Sequence, residues 1–278
     1  MAQTASVPAT DPAIKEATSN TDRFYTQVKS LHNFDNIEVR CVINNLLSKT
    51  TAEECHLANY IRTQGNVETL LLLQQSKHVQ TIAMIARALF ELSVEARLLE
   101  VVPNSWALVT HHAEVEKLRL ANKIIAFKNA NPGVTTDTTL YQQYIDHERR
   151  RITAMQSSLW PGVKRVTHWS GMNLSERCAF LKAPFDQIYS EDYPRISWYA
   201  HPGLTGVANV QFLTFIHVCG YAFNLAVKSY EQSLRSAIRV FKLTSGNDRI
   251  IDRLEVALRF PFADSDEQVE ALRKRAGL

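Results

Sequence analysis

Neither glycine nor proline occurs between Val67 and Val101, and from Val207 to Pro261 the only breakers are Gly220, Gly246 and Pro261 itself. A chain with 9 Gly and 9 Pro in 278 residues cannot supply the many tight corners of a β-sandwich or barrel. Long helices are what remains, and at 45% hydrophobic and 21% charged residues the chain has material for a core. The fold class expected is all-α: a multi-helix bundle around two long central helices, about 67–101 and 207–243. At 1.5 Å per residue the first would be roughly 50 Å long.

Other elements follow from spacing and punctuation. Phe24, Val28, Leu31, Ile37, Val42, Ile43 and Leu46 recur at mostly helical intervals with a break near Asn33–Asn36. Thr51 with Glu54 reads as a capping box, and Gly65-Asn66 as the stop of a second helix that runs to about Arg62. Helices are expected from after Pro103-Asn104 to about Asn129 and from about Thr138 to Leu159, with short ones near Asp248–Arg259 and Ser265–Arg275. The breakers instead crowd into 161–206, which must hold short helices. Residues 1–21 read as a disordered polar leader, and 22–278 as one all-helical domain.

Charge and cysteine usage narrow the partners. A net charge of +3 is too balanced to define a nucleic-acid or anionic-membrane surface by itself. The four cysteines form no CxxC pair, so neither structural zinc nor a disulfide framework is expected, and the reading is a reducing cytoplasm. Val207–Val227 carries no Asp, Glu, Lys or Arg, but Asn209, Gln211, His217 and Asn224 lie in it. It is read as a helix at the centre of a bundle, with no membrane partner.

Chemistry-bearing residues concentrate in Tyr189–Gly203. Tyr193, Ser197 and His201 are spaced by four and fall on one helical stripe, drifting only about 40° per step. His201, ahead of Pro202-Gly203, would sit at a helix C-terminus, where the dipole favours a protonated imidazole. On the apolar helix near 87, Arg87 and Glu91 lie one turn apart. Two charges there require partners, and Tyr193, Ser197 and His201 offer them.

Arg195 and His201, five residues apart, resemble the Arg-x5-His signature of the HEPN superfamily of all-helical proteins, many of which are metal-independent ribonucleases acting as toxins or phage-defence effectors. The match departs from the usual pattern at Ile196 and Pro202, and the two residues stand about 240° apart on a regular helix. The resemblance implies His201 as acid/base and Arg195, or Arg87, as the phosphate-binding cation, often at a homodimer interface. The Arg87-x3-Glu91 and Tyr193-x3-Ser197-x3-His201 motifs are also similar to an uncharacterised family of bacterial all-helical proteins, which implies no settled activity.

Two functional readings stay open. One is a HEPN-like RNA-cleaving or nucleotide-modifying effector, with RNA or a nucleotide as partner. The other is a non-enzymatic interaction or immunity protein of a defence or toxin–antitoxin system, with Arg87, Glu91, Tyr193, Ser197 and His201 as a buried structural network. Arg149, Arg150, Arg151, Lys164 and Arg165, interleaved with Trp160 and Trp169, read either as a solvated helix face or as a patch for phosphates and stacked bases. His111-His112-Ala-Glu114 and His147-Glu148 lack two ligands at the i, i+4 spacing of H-E-x-x-H, so no metal is expected. No P-loop, Rossmann or nucleophile-elbow string occurs, and no cofactor is expected.

Overall fold

A computed structural model describes residues 12–46, 49–74, 78–200, 212–245, 247–263 and 265–277, with backbone alone for 212–215. All regular structure among these residues is helical. The α-helices are α1 Pro12–Phe34, α2 Cys41–Asn44, α3 Thr51–Leu72, α4 Val79–Val101, α5 Ser105–Ala130, α6 Thr139–Leu159, α7 Leu174–Leu181, α8 Phe185–Glu191, α9 Tyr193–Ala200, α10 Phe212–Val240, α11 Ile250–Arg259 and α12 Asp266–Ala276. Contacts divide the chain, read above as one domain, into two compact units: Met1–Val101 with Cys178–Leu278, and Val102–Arg177.

In the first unit α10 packs along both α4 and α1, α3 lies against α4 and α10, and α9 covers part of α4. Small buried residues let α4 and α10 approach closely: Ala83, Ala86 and Ala96 on one, Ala226, Ser233, Ser236 and Ala237 on the other. The Ser236 hydroxyl donates across this seam to the Ala96 carbonyl at 3.2 Å. Phe90, Leu89, Phe223, Leu225 and Leu234 are fully or almost fully buried around it.

The expected break near Asn33–Asn36 does not occur. The helix instead passes from α1 into α2 through a π-helical turn, Asp35–Arg40. Such a turn takes one extra residue and is kept only where tertiary contacts favour it. Here the contact is Asp35, which is fully buried. Its carboxylate accepts from the Tyr60 hydroxyl on α3 and the Tyr230 hydroxyl on α10, and from Gln64 Nε2 at 3.1 Å. Burial pushes the Asp35 carboxyl above its ordinary range, opposed by these donated hydrogen bonds, and it also pushes both phenols up.

Other boundaries also moved for identifiable reasons. The capping box is Thr50 with Glu53: Thr50 is extended, its Oγ1 accepts from the Glu53 N–H at 3.3 Å, and its own N–H donates to Glu53 Oε2 at 2.7 Å. Helix α3 continues through Gly65 to Leu72, because an interior glycine costs only about 1 kcal/mol while Val67 and Leu70 beyond it are fully buried. The long helix expected over 67–101 is therefore two, parted between Leu72 and Val79. Of the second long helix, 212–240 is α10, and 207–211 lies outside the described residues. Helix α1 begins at Pro12, inside the segment read as leader, with Ile14 and Ala17 buried in a cluster with Ile216.

The second unit is built on α5 and α6, joined by the Asn131-Pro132-Gly133 turn. Its core is Val115, Ile152, Trp160 and Val166, with Leu118 and Met155 packed against it. Trp160 and Trp169 are 5% and 4% exposed, and the Trp160 indole donates to the Trp169 carbonyl at 2.8 Å. They are core residues and leave no ring face for stacking bases. Gly171 adopts φ +75°, where a Cβ would stand 3.0 Å from the Trp160 ring.

Replacing Asp35 by Ala strands three buried donors, so the unfolding free energy in urea is expected to fall by about 3 kcal/mol or more. Gly171→Ala is expected to destabilise through both its backbone and its contact with Trp160, by about 1–3 kcal/mol, read as a lowered thermal midpoint with no change in far-UV CD before melting.

Candidate functional site

Helix α9 is set by Tyr193, Ile196 and Ala200, all buried, and its start is tied down by Lys228 of α10, which donates to Asp192 at 2.6 Å. With Pro194 in its first turn, where no N–H is needed, α9 lies against α4. The Tyr193 ring packs on Phe90 with centroids 5.3 Å apart and stacks on Tyr189 at 5.4 Å. This brings the two sequence motifs together. Glu91 Oε1 accepts from Arg87 Nε at 2.9 Å and from the Tyr193 hydroxyl at 2.9 Å. Arg87 Nη1 donates to Ser197 Oγ at 3.5 Å, and its guanidinium lies 5.5 Å from the centre of the Tyr193 ring.

Solvent reaches the Arg87–Glu91 pair, while Tyr193 beneath it is buried. The Arg87 and Glu91 side chains are 32% and 40% exposed, which a closed core network would not allow. Burial opposes the Arg87 cation, but the Glu91 hydrogen bond and the neighbouring charges outweigh it and hold its pKa above the ordinary value. Burial, followed by the Glu91 charge and hydrogen bond, pushes the Tyr193 phenol up to about 12. At neutral pH the site therefore presents a fixed cation, a carboxylate and two hydroxyls, with Tyr193 as a phenol.

The remaining expected residues are distributed differently. Arg195 is exposed on α9 and lies over the Tyr221 ring of α10 at 5.3 Å. His201 lies outside the described residues. Arg149, Arg150, Arg151, Lys164 and Arg165 all belong to the second unit. Among the described residues no three His, Cys, Asp or Glu side chains converge as a metal site, and no helix is long and apolar enough to cross a membrane. Cys178 and Cys219 are buried thiols, and burial pushes Cys219 up to about 11.

A second polar centre, Asp35 with Tyr60, Gln64 and Tyr230, lies outside the motifs expected from spacing. A signal for it existed: His56, Asn59, Tyr60, Thr63 and Gln64 recur at helical spacing on α3, and all are buried. Hydroxyls and amides at core spacing call for a shared acceptor.

No family model, curated protein or solved structure matches this chain.

The raised Tyr193 pKa stabilises the fold as long as the phenol stays protonated. That contribution is full below pH 10 and is lost as the pH climbs from about 10 towards about 12. A tyrosine ¹³Cζ NMR titration is expected to show a midpoint near 12 that is missing from Tyr193→Phe; a midpoint at the ordinary phenol value would contradict the Glu91 contact.

Proposed function

We propose that the α4–α9 cluster serves a metal-independent, HEPN-like RNA-cleaving or nucleotide-modifying effector of a toxin or phage-defence kind. The observation that supports this is the convergence of a solvent-reachable Arg87–Glu91 pair with Tyr193 and Ser197, from two helices about a hundred residues apart in sequence. A fixed cation beside the Ser197 hydroxyl, which accepts from Arg87 and keeps its own proton to donate, suits an anionic phosphodiester whose charge grows in the transition state.

In this reading the RNA 2′-hydroxyl attacks its own phosphodiester. His201, directly after Ala200 in the chain, takes the 2′ proton and passes it to the departing 5′-oxygen, so that the P–O5′ bond breaks as the P–O2′ bond forms, leaving a 2′,3′-cyclic phosphate and a free 5′-hydroxyl. Arg87 holds the non-bridging phosphate oxygens. Glu91 keeps the guanidinium fork in place through Nε and orients the Tyr193 hydroxyl through the same oxygen. Arg195, on its own partner Tyr221, is the alternative cation.

The full chain is expected to cleave single-stranded RNA in EDTA and to leave cyclic phosphate ends. His201→Ala and Arg87→Ala should each slow cleavage by about 100-fold or more. Because Arg87 and Glu91 are partly exposed, Arg87→Ala should cost the fold no more than about 1 kcal/mol. Cleavage at the wild-type rate by both variants contradicts the proposal.

A further inference from the structure

The basic residues of the second unit are not equivalent. Arg151 is neutralised, donating to Glu148 at 2.6 Å and to Glu114 at 3.2 Å. Arg150 stands exposed on α6. Arg149 turns to α5 and donates from Nη2 to Asn122 Oδ1 at 2.9 Å, a neutral acceptor that leaves its charge uncompensated. Asn122 in turn lines a cleft of about 340 Å³ together with Arg119, Gln156, Lys164 and Arg165. No carboxylate is among the described residues that line it.

The three cations that line this cleft differ in what they have left to give. Arg119 donates to Glu116 and, at 2.8 Å, to the Val166 carbonyl, so it is fixed in place and partly compensated. Lys164 and Arg165 are exposed, and neither forms an ion pair among the described residues. Two uncompensated cations on the segment after α6 thus face a pocket whose other polar groups are the carboxamides of Asn122 and Gln156, over an apolar floor of Val115 and Leu118. A concave site with a surplus of positive charge and neutral hydrogen-bonding groups suits a phosphate joined to a sugar or base better than a carboxylate alone.

We infer that this cleft binds the backbone phosphates of single-stranded RNA through Lys164, Arg165 and Arg149, with Arg151 taking no part. The identity of the polymer rests on the proposed function, whereas the choice of residues rests on the cleft alone. Trp160 and Trp169, both buried, contribute nothing to this binding, so grip comes from charge and amides without base stacking.

The test separates binding from cleavage by using a fluorescein-labelled 2′-O-methyl oligouridylate of about 12 nucleotides, which has no free 2′-hydroxyl to attack. Anisotropy titrations of the full chain are expected to show saturable binding. In Lys164→Glu/Arg165→Glu the affinity should fall by at least about 10-fold and the slope of log K against log salt should become shallower by about 1.4, two phosphate contacts at about 0.7 each. Arg151→Ala should bind as wild type, and equal melting temperatures would show that these surface variants fold. The inference is overturned if the wild type does not bind, if the double variant binds unchanged, or if Arg151→Ala weakens binding as much. It is also overturned if inorganic phosphate alone displaces the RNA at matched ionic strength, which would assign the cleft to a free anion. Binding through Lys164 and Arg165 by a protein that cuts no RNA would uphold the cleft and defeat the proposed cleavage.

Discussion

A buried carboxylate sets the geometry on which the first unit depends. Asp35 has no contact with water, and its two oxygens take hydrogen bonds from three side chains on two other helices. A carboxylate left alone in such a place would be prohibitively costly, so the donors must converge on it. That requirement explains the π-helical turn at Asp35–Arg40, which carries Asp35 and the fully buried Val39 within an otherwise continuous helix. It also fixes α3 and α10 about a common point. Helix α4 packs against both of them, and α9 rests on α4, so the register of the Arg87 cluster is inherited from a centre that takes no part in its chemistry.

The two polar centres contrast in a way that bears on function. Around Asp35 the donors are hydroxyls and an amide shut away from solvent, an arrangement that specifies packing. Around Glu91 an Arg–Glu pair, a phenol and a serine meet at a surface where solvent reaches the charges. A partly exposed ion pair contributes little to stability, about 1 kcal/mol at most. Under the proposed function, an anionic substrate gives the reason for holding the exposed Arg87–Glu91 pair beside Tyr193 and Ser197.

What the sequence made legible is the pairing of Arg87 and Glu91 with Tyr193 and Ser197. Spacing by four on two helices puts each pair on one face, and charges in an apolar helix require partners. The all-helical class followed from the placement of glycine and proline. Asp35 was hidden because Asn33-Phe34-Asp35-Asn36 has the composition of a break, and only long-range contacts with Tyr60 and Tyr230 turn it into helix. The gap between Leu72 and Val79 was hidden for the opposite reason, since no glycine or proline marks it. Trp160 and Trp169 beside cations looked like a stacking surface, but a small unit built mainly on two helices needs its largest apolar side chains for a core. The balance between Arg149, Arg150 and Arg151 depends on where Glu114 and Asn122 fall across α5, which spacing within one helix cannot reveal.

The central claim is that the α4–α9 cluster exists for chemistry on a phosphodiester and contributes little to the fold. Glu91→Gln tests it most directly, because it keeps the size of the side chain while removing the charge that orients Arg87 and Tyr193. Thermal unfolding and RNA cleavage measured side by side on this variant are predicted to show a melting temperature within a few degrees of wild type and cleavage reduced by about 10-fold or more. A variant that melts far lower while cleaving RNA at the wild-type rate would contradict the claim and assign these residues to holding the helices together.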